Sequence, residues 1–194
     1  MNKMPTDMPL KRRAICVFCG SSHGNKPAYT AAAQRLGELI VDNGFELVFG
    51  GGGVGLMGEV AASVAKKEGT ILGIIPGFLR HLEPPLEVKS TIVITENMND
   101  RKAQMFAASD AFAVLPGGLG TLDEFAEAFT GAQLQQHRKP IVLISVDDYF
   151  APLITLIDHF VAEGFAKPGV RKLFQVVATP EEAMKIFTAQ PVRV

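Results

Sequence analysis

The stretch Ala111-Phe112-Ala113-Val114-Leu115-Pro116-Gly117-Gly118-Leu119-Gly120-Thr121-Leu122-Asp123-Glu124 decides the fold. It opens with five apolar residues, breaks on a proline and three glycines, and resumes as a helical pattern over 121–136. A short apolar run without polar alternation is the mark of a strand buried on both faces. Run directly into a helix, it is half of a parallel strand–helix–strand unit.

The same unit recurs on either side. Apolar runs over 14–19, 45–49, 70–75, 91–95, 111–115, 140–145 and 175–178 alternate with helical patterns over 27–42, 56–67, 100–108, 121–136, 149–163 and 181–189. Asn25 stands near one helix start with Pro27 in the first turn, and Gly44 and Gly69 follow helix ends. Thr179-Pro180-Glu181-Glu182 reads as a cap, a first-turn proline and acids at the positive end of the helix dipole. Asp147-Asp148 is expected to cap the helix over 149–163. The predicted architecture is α/β: a Rossmann-like, doubly wound parallel sheet of about seven strands with helices on both faces. Residues 1–13 are expected to form a flexible tail and 14–194 a single nucleotide-binding domain. The longest irregular segment, 76–90, carries Pro84-Pro85 and has the length of a lid, binding loop or interface element.

Composition narrows the function. The 194 residues include 19 basic and 20 acidic side chains, for a net charge of −1. That balance argues against a nucleic-acid partner held by a broad basic surface, and leaves room for a small anionic ligand. No apolar run reaches the ~18 residues of a membrane span, and the N-terminus has no signal-peptide core. A cytoplasmic protein with no membrane partner is expected. The two cysteines, Cys16 and Cys19, exclude a disulfide scaffold. Three apart on one strand, they point to opposite faces and make no zinc pair. His23, His81, His137 and His159 have no ligand spacing, so no metal is expected.

In doubly wound sheets, ligands bind beyond the carboxyl ends of the strands. Three small-residue loops lie at such ends: Gly20-Ser21-Ser22-His23-Gly24, then Gly50-Gly51-Gly52-Gly53-Val54-Gly55-Leu56-Met57-Gly58, then the 116–124 stretch. Glycine lets backbone N–H groups turn outward, and a helix start adds unpaired donors, so a phosphate suits these loops. For any one loop, tight packing explains the glycines about as well. Gly50, Gly52 and Gly55 match the dinucleotide fingerprint, but no acid ends the following strand, which makes NAD a weak alternative. No Gly-Lys-Ser/Thr occurs, which excludes a P-loop.

Glu124 lies one turn inside the helix whose start would hold the phosphate, roughly 5 Å along the axis. It would repel the phosphate itself but suit a ligand that develops positive charge a few bonds away. A ribose 5-phosphate does so as its bond to a base breaks. The plainer reading of Glu124 is an acid stabilising its helix start, which Asp123 could do equally well. Leu122, Phe125, Phe129 and Ala132 are expected to form the core stripe of this helix, with Glu124 off its centre. Arg101 and Lys102 open the helix after the fourth strand, where cations are unfavourable. They point to a ligand, or form a solvated pair that Asp100 offsets. Arg101 could hold phosphate or sugar oxygens as a fork. The pair would lie next to the 116–124 loop if strands four and five are neighbours.

These residues resemble the LONELY GUY (LOG) family of cytokinin-activating phosphoribohydrolases. Val17-Phe18-Cys19-Gly20-Ser21-Ser22, Gly51-Gly52-Gly53-Val54-Gly55-Leu56-Met57-Gly58, Arg101-Lys102-Ala103-Gln104-Met105 and Pro116–Glu124 carry the likeness, the last fitting the PGGxGTxxE pattern at every fixed position. The resemblance implies hydrolysis of a purine nucleoside 5′-monophosphate to free base and ribose 5-phosphate, with no cofactor and a homodimer whose sites lie near the subunit interface. It implies Arg101 and Glu124 as the catalytic pair and Gly117, Gly118, Leu119, Gly120 and Thr121 as the phosphate loop. Glu83, Lys102 and Thr130 would contact substrate, and Ser22, Gly53 and Met98 are further candidates. Asn99, Gln104, Asp123 and Gly131 depart from common family residues; Asn99 and Gly131 bear on the base pocket or dimer contact. The alternative is a non-catalytic carrier of a nucleotide or nucleotide-linked cofactor.

Overall fold

The structure, a computed structural model, describes residues 13–81, 84 and 88–190. All seven predicted strands form: β1 (Ala14–Phe18), β2 (Glu46–Phe49), β3 (Ile71–Pro76), β4 (Thr91–Thr95), β5 (Ala111–Val114), β6 (Ile141–Ile144) and β7 (Gln175–Val177). They pair in parallel, in the order β4-β3-β2-β1-β5-β6-β7. The chain runs outward from β1 to one edge, then crosses back to β5. The direction of winding therefore reverses between β1 and β5, and that reversal is where such sheets bind ligands.

Six helices link the strands: α1 (Pro27–Asp42), α2 (Gly55–Lys66), α3 (Met98–Ala108), α4 (Leu119–Gln133), α5 (Ala151–Ala162) and α6 (Pro180–Thr188). The alternation along β1 shows how they divide. Ile15 and Val17 point into a core with Leu36 and Ile40 of α1, Val60 of α2 and Phe187 of α6. Cys16 and Phe18 point into a second core with Met105 of α3, Phe125 of α4 and Ile157 of α5. Phe112 is fully buried at the centre of the second core, between the rings of Phe18 and Phe106. The two cysteines fall in different cores, as their spacing requires.

Local signals hold in some places and fail in others. The Thr179 side chain accepts from the Glu182 N–H, with Pro180 opening α6. α1 has Pro27 in its first turn, as expected; its cap position is Lys26 and no side chain caps it. Asp147 and Asp148 do not cap α5; they form a 3-10 turn at φ of 50° and 57°, and α5 begins at Ala151. α4 starts two residues earlier than its pattern suggests, so Leu119 and Gly120 are helical. Leu122, expected in the core, is exposed; the buried line is Thr121, Glu124, Phe125, Ala128 and Gly131. No helix among the described residues is long and apolar enough to cross a membrane. The expected tail, apart from Arg13, lies outside the described residues.

Candidate active site

The loops after β2, β1 and β5 lie side by side because those strands are neighbours. The Gly20 N–H donates to Pro116 O at 3.0 Å, which joins the first loop to the third. Gly117 packs so closely that an added Cβ would lie 2.1 Å from Thr121 Oγ1 and 2.8 Å from the Gly20 nitrogen. The first and second loops meet differently. Leu56 and Met57, in the first turn of α2, donate their N–H groups to Gly20 O at 3.0 and 3.4 Å.

Arg101 does not arrive here by strand adjacency, since β4 is the sheet edge and lies four places from β5. It arrives because α3 is the crossover: the helix runs from the edge back across the sheet to reach β5, and its first turns pass over the ends of the inner strands. Asn97 caps α3 by accepting from the Asp100 N–H, so Asp100 and not Arg101 supports the helix start. That frees the guanidinium to turn inward. Its Nη2 donates to Gly50 O at 3.2 Å and stands 3.8 Å from Glu124 Oε1. A Cβ on residue 50 would sit 2.0 Å from that nitrogen. Glycine at 50 is therefore the condition for Arg101 to enter.

Both members of the pair are buried, Arg101 to 6% and Glu124 to 8% exposure. Buried charge is costly unless paired and hydrogen-bonded. At 3.8 Å the pair gains Coulomb energy but lies outside hydrogen-bond range. The Arg101 Nε is buried with no hydrogen-bond partner among the described residues. A guanidinium offers five donors; this one has room for a further acceptor. Burial pushes the Cys16 thiol beneath the pair well up, and the Glu124 charge adds to the shift.

Lys102 faces away from the pair. It bridges Asp123 at 2.9 Å and Glu127 at 2.7 Å, and these hydrogen bonds, Glu127 first, raise its pKa. Because Lys102 follows Arg101 and Asp123 precedes Glu124, this surface clamp holds α3 against α4 beside the buried pair.

A cavity of about 190 Å³ opens over the pair, lined by Cys19, Gly20, Ser21, Met57, Met98, Arg101, Gly118, Leu119, Gly120, Thr121 and Glu124. The structure thus brings together Arg101, Glu124, Met98 and residues 118–121, with Gly117 just behind them. It does not bring Lys102, Ser22, Gly53 or Thr130 to the cavity wall. Thr130 is exposed further along α4, Ser22 is exposed beyond the rim, and the Gly53 N–H is engaged with Pro84 O. Glu83 lies outside the described residues. Gly131 is buried, with the His137 ring 3.1 Å from where its Cβ would stand, so that imidazole fills the space of a larger residue. Cys19, Gly20, Ser21 and Met57 stand in loops and motifs quoted from the sequence but not among its candidate site residues; the first three follow β1 beside the winding reversal, and Met57 lies in the first turn of α2. Among the described residues, no group of three or more His, Cys, Asp or Glu side chains could hold a metal ion.

The start of α4 has the features of an anion cradle. Gly118 is its cap position and no side chain caps it. The first-turn N–H groups of a helix have no intrahelical acceptor. A Cβ added at Gly118 or Gly120 would meet nothing within 4 Å, so the fold itself does not demand glycine there.

The matching family model is described as possible lysine decarboxylase and covers residues 57–187. A cytokinin riboside 5′-monophosphate phosphoribohydrolase of Arabidopsis thaliana is 46% identical over 168 residues, 87% of this chain and 76% of the relative. The chain belongs to the LOG family. A probable enzyme of the same name from Oryza sativa subsp. japonica is 44% identical over 173 residues, 89% of this chain and 71% of the relative. Among solved structures, a molybdenum cofactor binding protein from Rippkaea orientalis superposes with a TM-score of 0.70 at 25% identity, covering 92% of this chain and 98% of that one. A Moco carrier protein from Chlamydomonas reinhardtii gives 0.69 at 20% identity, covering 92% and 96%, which speaks to the shared fold alone. Among the described residues, Arg101 and Glu124 are the two charged side chains that the fold buries.

Proposed function

We propose that this LOG-family protein hydrolyses the N-glycosidic bond of a purine nucleoside 5′-monophosphate, that of adenosine or of a cytokinin riboside, to free base and ribose 5-phosphate. The observation that carries this is the buried Arg101–Glu124 pair set beside an uncapped helix start. The phosphate sits on the first-turn amides of α4, where the helix dipole favours an anion. As the C1′–N bond breaks, its electrons leave with the base and the sugar gains oxocarbenium character. Glu124, held beneath and poorly solvated, stabilises that charge and orients the water whose oxygen bonds to C1′. That water gives up a proton as its oxygen bonds, and the departing base takes one up. Arg101 keeps the carboxylate in place and offers its open donors to sugar or phosphate oxygens.

The cavity is smaller than the roughly 300–1,000 Å³ of a whole ligand pocket. It accommodates the ribose phosphate end, and the base extends outward past Met98 and Leu119. Leu119 leaves apolar surface at that rim, and Leu122 is exposed further along α4. We take a second copy of the chain to cover that surface, completing the base site in a homodimer, and we take the protein to be cytoplasmic. A carrier role has less support: the phosphoribohydrolase relatives stand at 44–46% identity and the carriers at 20–25%.

The test is incubation with AMP and isopentenyladenosine monophosphate, beside their dephosphorylated nucleosides, with chromatography for free base. Base is expected from the monophosphates and not from the nucleosides. Glu124→Gln should lower turnover by about a thousandfold or more. AMP recovered intact, or near-normal adenine release by Glu124→Gln, would reject the reading.

A further inference from the structure

Tyr149 has no part in the chemistry above, yet its hydroxyl donates to the carbonyl oxygen of Gly117 at 2.6 Å. We propose that Tyr149 is a positioning residue for the anion cradle: by holding the Gly117 carbonyl it sets the direction of the Gly118 N–H. This rests on the phosphate-binding part of the proposed function.

The reason is peptide planarity. In a trans peptide the C=O and the following N–H point to opposite sides, and no cis peptide occurs among the described residues. Anchoring the Gly117 oxygen outward at Tyr149 turns the Gly118 N–H to the far side, where Gly118 lines the cavity. A Gly–Gly peptide is weakly constrained, because neither residue has a Cβ to bias its rotation. Its neighbours are already tied by backbone: Pro116 O accepts from the Gly20 N–H at 3.0 Å, and Gly118 O from the Leu122 N–H at 3.0 Å. The Gly117 carbonyl lies between these two ties, and the Tyr149 hydroxyl holds it.

Tyr149 is itself placed with care. Asp147 and Asp148 adopt positive φ, a region that costs every residue but glycine and that aspartate tolerates better than most. This tight turn after β6 leaves Tyr149 facing the adjacent β5 loop. Lys26 pairs with Asp147 at 3.2 Å, and the Tyr29 ring meets Tyr149 edge-on at 5.6 Å. Ser145 Oγ accepts from the Phe150 N–H at 3.0 Å and fixes the turn from behind. Strain retained at a ligand-facing strand end and secured from several sides is the pattern of a functional support. Tyr149 is 37% exposed, so its hydroxyl is not there to satisfy a buried core.

Tyr149→Phe keeps the ring contacts and removes only the anchor. Binding of ribose 5-phosphate alone, by calorimetry, is expected to weaken about five- to tenfold, the loss of one hydrogen bond's worth of order. Binding of adenine, which lacks the phosphate, should not change. With AMP, KM should rise by the same factor while kcat stays within about twofold, because the lost contact serves ground and transition states alike. Unchanged ribose 5-phosphate binding overturns the proposal. So does equal weakening toward adenine, which would mean general distortion. A wild-type protein that binds ribose 5-phosphate but releases no base from AMP defeats the hydrolase reading, and the Tyr149 assignment is still decided by the calorimetry. A wild-type protein that binds no ribose 5-phosphate defeats the cradle and this assignment with it.

Discussion

The glycine run over 50–58 and the glycine run over 117–120 look alike in composition and do opposite things. Each joins a strand to a helix at the same edge of the sheet. In the first, the protein consumes its own glycines. Gly51 and Gly55 sit at φ of 81° and 57°, and a Cβ at Gly58 would lie 2.4 Å from Gly53 O. The first amides of α2 are already spent on Gly20 O. In the second, Gly118 and Gly120 have open space around them and no side chain caps α4. A glycine the fold does not need, beside donors the fold does not use, is the signature of a place kept for a ligand. The dinucleotide-like spacing over 50–58 thus reports packing, while the shorter motif carries the proposed phosphate site.

Among variants of the two glycine runs, the largest effect should come from Gly50→Ala. Its Cβ would meet Arg101 Nη2 at 2.0 Å, so the guanidinium must leave its seat. A displacement of about 1 Å at a catalytic group can cost a hundredfold in rate. We expect AMP turnover to fall at least that far while the folded state survives; retained activity would show that Arg101 has no fixed seat to lose. Gly55→Ala tests the packing role of the same run. The new Cβ would lie 2.3 Å from the Ser21 carbonyl carbon in a left-handed conformation. We expect about 2–4 kcal/mol of lost stability in chemical unfolding. A neutral result would mean that the two loops are not rigidly joined.

Much of this was legible in the sequence. The strands were, because burial on both faces leaves uninterrupted apolar runs such as Ile141–Ile144, which no amphipathic helix imitates. Arg101 was legible as a cation at a helix start, where cations are unfavourable, and Glu124 as an acid within one turn of a glycine loop. What escaped depends on three-dimensional order. Arg101 was expected to reach the site through neighbouring strands, but β4 is the sheet edge and the crossover helix carries it there. Leu119 and Gly120 read as loop because glycine signals turns, yet α4 begins at Leu119 and takes Gly120 into its first turn. Leu122 read as core because hydrophobic periodicity does not say which of two adjacent stripes faces inward. Tyr149 escaped altogether: its partner is a main-chain carbonyl 32 residues away, and no motif records such a bond.

Gly118→Ser sharpens the contrast from the ligand side. A serine at the cap position can accept from the Gly120 or Thr121 N–H, the arrangement most helices use. Stability should hold or rise by a few tenths of a kcal/mol. The side chain would then compete with phosphate for the same donors, and KM for AMP should rise about tenfold. A variant with unchanged KM would place the phosphate elsewhere.

Gly120→Ala should have the smallest effect and the clearest sign. The residue is in the first turn of α4 without positive φ, and its Cβ would enter open space. Alanine loses less backbone freedom on folding than glycine, so the variant should gain up to about 1 kcal/mol in stability. If the space is kept for a ligand, the same methyl group obstructs the approach of the phosphate, and KM should rise about threefold with kcat nearly unchanged. The two measurements must move in opposite directions, because a glycine that costs stability and contacts nothing is retained only for what comes to rest on it. A gain in stability with no change in KM would mean that the open space over Gly120 is solvent and that Gly118 bounds the cradle on that side.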